Sequence, residues 1–263
     1  MDLGLKGRVA IVAAASKGLG RAVAEEFAKE GCAIAICART AAELERTAGE
    51  IERSSDQPVF RKAFDVTRAD AVHEFVEGVE KKFGHVDICV TNSGGPPSKT
   101  FLDISLEDWR AAVDQMLLST VHFAREVLPR MQRNHWGRLI TITSVSVKQP
   151  IDGLLLSNSV RAGVTGLAKT LANEFGPDGI TVNNVCPGFT LTARLEELVE
   201  KRAHDAGVSR EKILEGMNSQ VPIGRVARPD EFAALVVFLA SERASSINGT
   251  TIAVDGGFVK GLL

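Results

Sequence analysis

The sequence contains no tyrosine, and aromatic residues fill only 5% of its 263 positions. Any acid–base chemistry must do without a phenol. Cysteine is scarce too. Cys32, Cys37, Cys89 and Cys186 lie in or beside strand-like runs with no CxxC spacing, which argues against a thiolate metal site or a disulfide framework. They read as buried, reduced thiols of a cytoplasmic protein. The five histidines form no H-x-x-x-H pair, so no metal is expected. Net charge is also nearly absent. Thirty-one Lys and Arg face 33 Asp and Glu, a formal net charge of −2, which leaves no basic footprint for nucleic acid or an anionic membrane. The apolar runs fall far short of the roughly 20 residues of a membrane span. No Pro/Ser-rich linker divides the chain, so residues 1–263 read as one domain.

What the chain does have is alternation. "RVAIVA" (8–13), "CAIAICA" (32–38), "PVFRKAF" (58–64), "VDICVT" (86–91), "RLITITS" (138–144), "ITVNNVC" (180–186) and "TIAV" (251–254) are short β-rich runs. Helical patterns fill 18–30, 41–54, 68–83, 107–132, about 156–176 and 229–241. Strands apolar on both faces, each followed by a helix, predict an α/β fold: a doubly wound parallel sheet of about seven strands with helices on both faces. The N-terminus runs straight into the first strand and does not read as a signal peptide. Residues 190–220 break the rhythm with a charged, helical stretch, which we read as a lid-like insertion over a cleft. Helices 107–132 and 156–176 are apolar nearly all round, so each needs a partner beyond the sheet.

The first turn, "AAASKGLGRAVAEEF", places Gly18 and Gly20 where a strand ends and a helix opens. Backbone N–H groups there can approach a pyrophosphate. Further along come "TNSG" (91–94), Pro187–Gly188 with Thr190 and Thr192, and "VDGG" (254–257). These motifs, in this order over essentially the full length, resemble the short-chain dehydrogenase/reductase family, and its 3-oxoacyl-carrier-protein reductases are closest in overall pattern. The resemblance implies a dinucleotide site at Ala14, Ser16, Lys17, Gly18, Leu19, Gly20, Asp65, Val66, Asn92, Gly94, Pro187, Gly188 and Thr190. It also implies dimers or tetramers through the two apolar helices. Ala14 replaces the family's first glycine, which is tolerable where φ is negative. Asp65 could contact adenine, cap the next helix, or both.

Cofactor choice turns on the end of the second strand. An acid there binds the ribose hydroxyls of NAD, but "CART" offers Arg39 and no acid. Arg39 and Lys17 together suit a 2′-phosphate, so NADP is expected.

The family's working residues are an Asn, a Ser and Tyr-x-x-x-Lys. Carried onto this sequence, the Ser is Ser144, the Tyr position is Ser157, the Lys position is Arg161 and the Asn falls on Met116. A serine hydroxyl is a far weaker acid than a phenol, and arginine does not shuttle protons. Ser144, Ser157 and Arg161 can still steady a developing oxyanion, and Arg161 can hold the nicotinamide ribose. Leu154, Leu155 and Leu156 are core candidates that could also line a substrate pocket, and Asp152 is an alternative proton donor. The sequence thus reads as an atypical NADP(H)-dependent oxidoreductase acting on a small molecule, reducing a carbonyl or activated double bond. The alternative is a catalytically silent nucleotide-binding subunit.

Overall fold

The short aliphatic runs become β1 (Val9–Ala13), β2 (Ala33–Ala38), β3 (Val59–Ala63), β4 (Ile88–Thr91), β5 (Gly137–Ile142), β6 (Ile180–Pro187) and β7 (Thr251–Val254). In the computed structural model, which describes residues 1–262, they form one sheet in the order β3-β2-β1-β4-β5-β6-β7. Every neighbouring pair is parallel. Alternation within β1 shows why both faces are covered. Ala10 and Val12 enter one apolar cluster, while Val9, Ile11 and Ala13 enter another on the opposite face.

The first cluster takes in α1 (Gly18–Lys29), α2 (Ala41–Ser55) and α9 (Pro229–Ala240) through Phe27, Leu44 and Phe232. The second takes in α3 (Ala69–Phe83) through Phe75, α5 (Ser119–Arg133) through Phe123 and α6 (Leu155–Phe175) through Ala168. Each large apolar side chain buried this way contributes about 1.5–3 kcal/mol. The chain order reverses between β1 and β4, so a crevice opens where their C-terminal ends diverge. Among the described residues, no helix is long and apolar enough to cross a membrane.

Two predicted elements differ in detail. The helix expected over 107–132 is three pieces: α4 (Leu106–Ala112), a π-helical turn over Val113–Leu118, and α5. The wide turn is accompanied by hydroxyl bonds to nearby carbonyls. Ser119 Oγ donates to the Gln115 carbonyl at 2.6 Å and Thr120 Oγ1 to the Met116 carbonyl at 3.0 Å. The stretch 190–220 holds α7 (Ala193–Ala206) and α8 (Arg210–Asn218), which share a small apolar cluster of Leu195, Val199 and Met217. The outward faces of α5 and α6 leave an apolar groove of about 380 Å³, lined in part by Val121, Leu128, Leu171 and Phe175.

Ala14 overturns its expectation. Its φ is +50°, not negative, so a methyl-bearing residue occupies the left-handed region. The turn demands this conformation because α1 approaches the end of β1 very closely. A Cβ on Gly20 would collide with the Ala14 carbonyl oxygen. Left-handed backbone costs a non-glycine residue about 1–2 kcal/mol, and the greater freedom of unfolded glycine offsets about 0.5–1 kcal/mol of any gain. Ala14→Gly is therefore expected to raise stability by about 0.5–1 kcal/mol, or roughly 1–3 °C in calorimetric Tm. Gly20→Ala should lower stability by at least about 2 kcal/mol.

Candidate active site

The crevice is a cleft of about 600 Å³ at the C-terminal edge of the sheet. Ala14, Ser16, Lys17, Gly18 and Leu19 form its floor. Lys17 is the N-cap of α1 and provides no side-chain cap, so the first-turn amides keep their capacity for an anion. Gly20 lies buried behind them. Arg39, Asp65 and Val66 form a second wall. Both Lys17 and Arg39 are exposed, and among the described residues neither forms an ion pair.

Asp65 does not cap the next helix, because the N-cap of α3 is Arg68. Its carboxylate instead accepts from the Thr67 amide at 3.0 Å and the Thr67 hydroxyl at 2.9 Å. Sequence reading found no acid in "CART", yet the fold brings Glu43 into this wall from the first turn of α2. Ser16 Oγ donates to it at 3.4 Å.

Asn92 and Gly94 form the third wall, directly after β4. Glycines in and beside this wall make room for neighbouring side chains. A Cβ on Gly94 would lie 2.8 Å from Gln115 Nε2, and one on Gly95 would strike the Arg194 guanidinium. Gly188 is likewise bare against Asp255, where a Cβ would lie 2.7 Å from the Asp255 Cβ. Thr192 and Arg194 join the wall from the start of α7, and the Thr192 methyl approaches the bare face of Gly18. Sequence reading noted Thr192 only as part of a motif and missed Gln115 and Arg194. For Gln115 the usable signal was its place one residue before Met116.

Pro187, Gly188, Thr190, Ser144, Ser157 and Arg161 do not line this part of the cleft. They follow or flank the ends of β5 and β6, next along the sheet from β4. Pro187 closes β6, Gly188 N–H donates to the Val254 carbonyl at 3.0 Å, and the buried Thr190 hydroxyl donates to the Gly188 carbonyl at 3.3 Å.

Ser144 leaves β5 in extended backbone, and its hydroxyl accepts from the Ser146 amide at 3.1 Å. Ser157 is buried on α6 with its Oγ 3.4 Å from Ser146 Oγ. Ser146, which the sequence analysis did not single out, thus joins the two expected serines. Met116, where the resemblance carries the family's Asn, is 2% exposed and packs in the core with Ala112, Leu156 and Val160. Leu156 belongs to that core, while Leu154 and Leu155 are half-buried. Asp152 sits exposed in a turn, and the structure joins it to none of the serines.

Arg161 is the unusual member. It is only 8% exposed, and its Nη1 donates to the Ile142 carbonyl at 3.1 Å. Among the described residues, no carboxylate pairs with it. Burial, and then repulsion from Arg194, lower its pKa to about 10, against a small opposing pull from Cys186. It remains charged at neutral pH. The nearby Cys186 thiol is pushed up by burial, although Thr143, Lys148 and Arg161 oppose the shift.

Relatives share this architecture. A family model for enoyl-(acyl carrier protein) reductase matches residues 13–259. The 3-oxoacyl-[acyl-carrier-protein] reductase of Aquifex aeolicus is 31% identical, covering 98% of this chain and 99% of its own. L-sorbose reductase from Gluconobacter frateurii, complexed with NADPH and L-sorbose, matches over 100% of both chains at 34% identity and TM-score 0.96. YwfH, an NADPH-dependent reductase involved in bacilysin biosynthesis, matches at 29% identity and TM-score 0.92, covering 97% of this chain and 99% of its own.

A buried cation without a counter-charge destabilises a fold, and replacing it with an apolar side chain of similar volume relieves that cost. The folded pKa of Arg161 lies below its ordinary value, so its penalty is complete below about pH 10 and shrinks as pH rises further. Arg161→Met is therefore expected to gain about 1 kcal/mol or more, roughly 2–4 °C in Tm. Thermal melts should show a constant gain from about pH 6 to 9 and a smaller one above about pH 10.

Proposed function

This chain belongs to the short-chain dehydrogenase/reductase family of oxidoreductases, and we propose that it is an atypical NADP(H)-dependent reductase of a carbonyl or activated double bond. The reading is supported by a glycine-rich cleft at the end of the sheet and by a buried, charged arginine at the position that the resemblance gives to the proton-tuning lysine. Lys17 and Arg39 would hold the 2′-phosphate, with Glu43 and Asp65 as acids in the same wall tempering them. The first turn of α1 would hold the pyrophosphate, and Asn92, Gly94, Pro187 and Gly188 would border the nicotinamide. The cofactor, when bound, supplies the hydride. Ser144 and Ser157 present hydroxyls, and Arg161 presents a fixed charge toward the oxygen on which negative charge develops. Water supplies the proton. The reverse reaction, which needs a base to take a proton from an alcohol, is the poorer direction.

The residues 190–220 serve in this reading as a lid, with Thr192 and Arg194 as the part that meets the cofactor. The groove between α5 and α6 supports pairing of like chains. Light scattering should then give a mass of two or four times 28.1 kDa, and a monomer would remove that assignment.

NADPH should bind at least tenfold tighter than NADH, about 1.4 kcal/mol, and Arg39→Asp should abolish the preference in calorimetry. Unchanged selectivity in the variant would remove the phosphate-clamp reading. In NADPH-consumption assays over ketones, diketones, quinones and enones, Arg161→Ala should lower turnover about 10²-fold or more. Ser157→Ala should lower it less, because water replaces a hydroxyl more readily than a fixed cation. A wild type that binds NADPH but reduces none of these would be a nucleotide-binding subunit instead.

A further inference from the structure

The geometry points to Gln115 as a cofactor-binding residue, its side-chain amide holding the adjacent hydroxyls of the ribose on the nicotinamide side. The inference rests on the proposed function only in taking the cleft as the NADP(H) site.

Gln115 lies in the π-helical turn over Val113–Leu118, and wide turns of this kind frequently fall at functional sites. Two contacts fix it there. Its carbonyl accepts the Ser119 hydroxyl at 2.6 Å, and the next side chain, Met116, is buried in the apolar cluster with Leu156 and Val160. Met116 therefore faces the core, while the half-buried Gln115 lines the cleft with Asn92, Ser93 and Gly94. Its Nε2 lies close against Gly94, 2.8 Å from where a Cβ would stand. Among the described residues, nothing is hydrogen-bonded to that amide. A donor and an acceptor are both left for a ligand.

The order of strands decides which part of the cofactor this amide meets. Arg39 follows β2, the pyrophosphate turn follows β1, and Gly94 follows β4, which flanks β1 on the side away from β2. With the 2′-phosphate at Arg39 and the pyrophosphate at α1, a group beside Gly94 lies past the pyrophosphate, on the nicotinamide side. The chemistry agrees. Cations such as Lys17 and Arg39 suit phosphate oxygens. A neutral carboxamide offers an acceptor as well as donors, which fits two adjacent hydroxyls. In NADP(H) only the nicotinamide-side ribose carries such a pair, because the 2′-phosphate occupies one hydroxyl of the other. Arg161 already donates through Nη1 to the Ile142 carbonyl and serves the developing oxyanion in the proposed reaction. A second side chain for this ribose completes the grip.

Calorimetry with two ligands tests the assignment without turnover: NADPH, and adenosine 2′,5′-bisphosphate, which lacks the nicotinamide ribose. Gln115→Met keeps the length of the side chain and removes its hydrogen bonds. It should weaken NADPH about fivefold or more and leave adenosine 2′,5′-bisphosphate within about twofold. An NADPH analogue with 2-deoxyribose on the nicotinamide side supplies a second arm. It should bind the wild type about threefold or more weakly than NADPH does, and bind the Gln115→Met variant no differently from NADPH. Unchanged NADPH affinity in the variant would overturn the proposal and leave the cofactor reading intact. An equal loss for adenosine 2′,5′-bisphosphate would put Gln115 on the adenosine half and overturn it as well. So would additive losses from the variant and the analogue, since amide and hydroxyl would then not meet. A wild type that binds neither ligand would remove the cofactor reading itself, and this proposal with it.

Discussion

The constraint on which the cleft depends is the close approach of α1 to the end of β1. Gly20 packs against the Ala14 carbonyl with no room for a Cβ, and this contact sets where the helix begins. Because α1 begins there, its first amides face the crevice opened by the reversal of chain order between β1 and β4. The walls formed by Arg39, Asp65 and Asn92 then follow, since each leaves the C-terminal end of a neighbouring strand. Ala14 bears the cost of this contact as left-handed backbone. A fold that keeps such strain at its nucleotide turn has had its geometry determined by the turn and not by the local preference of the residue.

A second, opposite tension lies at the other end of the cleft. There the chain has no phenol to offer, and two of its residues meet that end in chemically different ways. Met116 lies in an apolar cluster with Leu156 and Val160. Arg161 is charged and buried, and among the described residues no carboxylate pairs with it. The first extends the core; the second keeps a charge that burial disfavours.

The serines show how far a local motif can mislead about contacts. Ser144 and Ser157 were expected to act together. The structure interposes Ser146, whose amide donates to Ser144 and whose hydroxyl lies against Ser157. The 3-10 turn after β5 makes this possible by bringing the residue two positions on back toward the strand end. Spacing on a helix is readable from period alone, but a turn between strand and helix can rearrange which hydroxyl meets which.

Most of the architecture was legible in the order of the residues. Alternating aliphatic strands and amphipathic helices determine a parallel sheet buried on both faces, because no other arrangement covers strands that are apolar on both sides. The glycine turn, the Arg39 end of β2 and the Ser157–Arg161 spacing follow from the same order, since each depends on neighbours only a few residues away. Tertiary structure decided what depends on distant segments. It set the left-handed φ of Ala14, the entry of Glu43 and Gln115 into the walls, and the burial of Met116. It also laid Arg194 across Gly95, about a hundred residues distant along the chain, and left Arg161 without an acid. Charge and burial are properties of a neighbourhood, and that neighbourhood is assembled only when the sheet is wound.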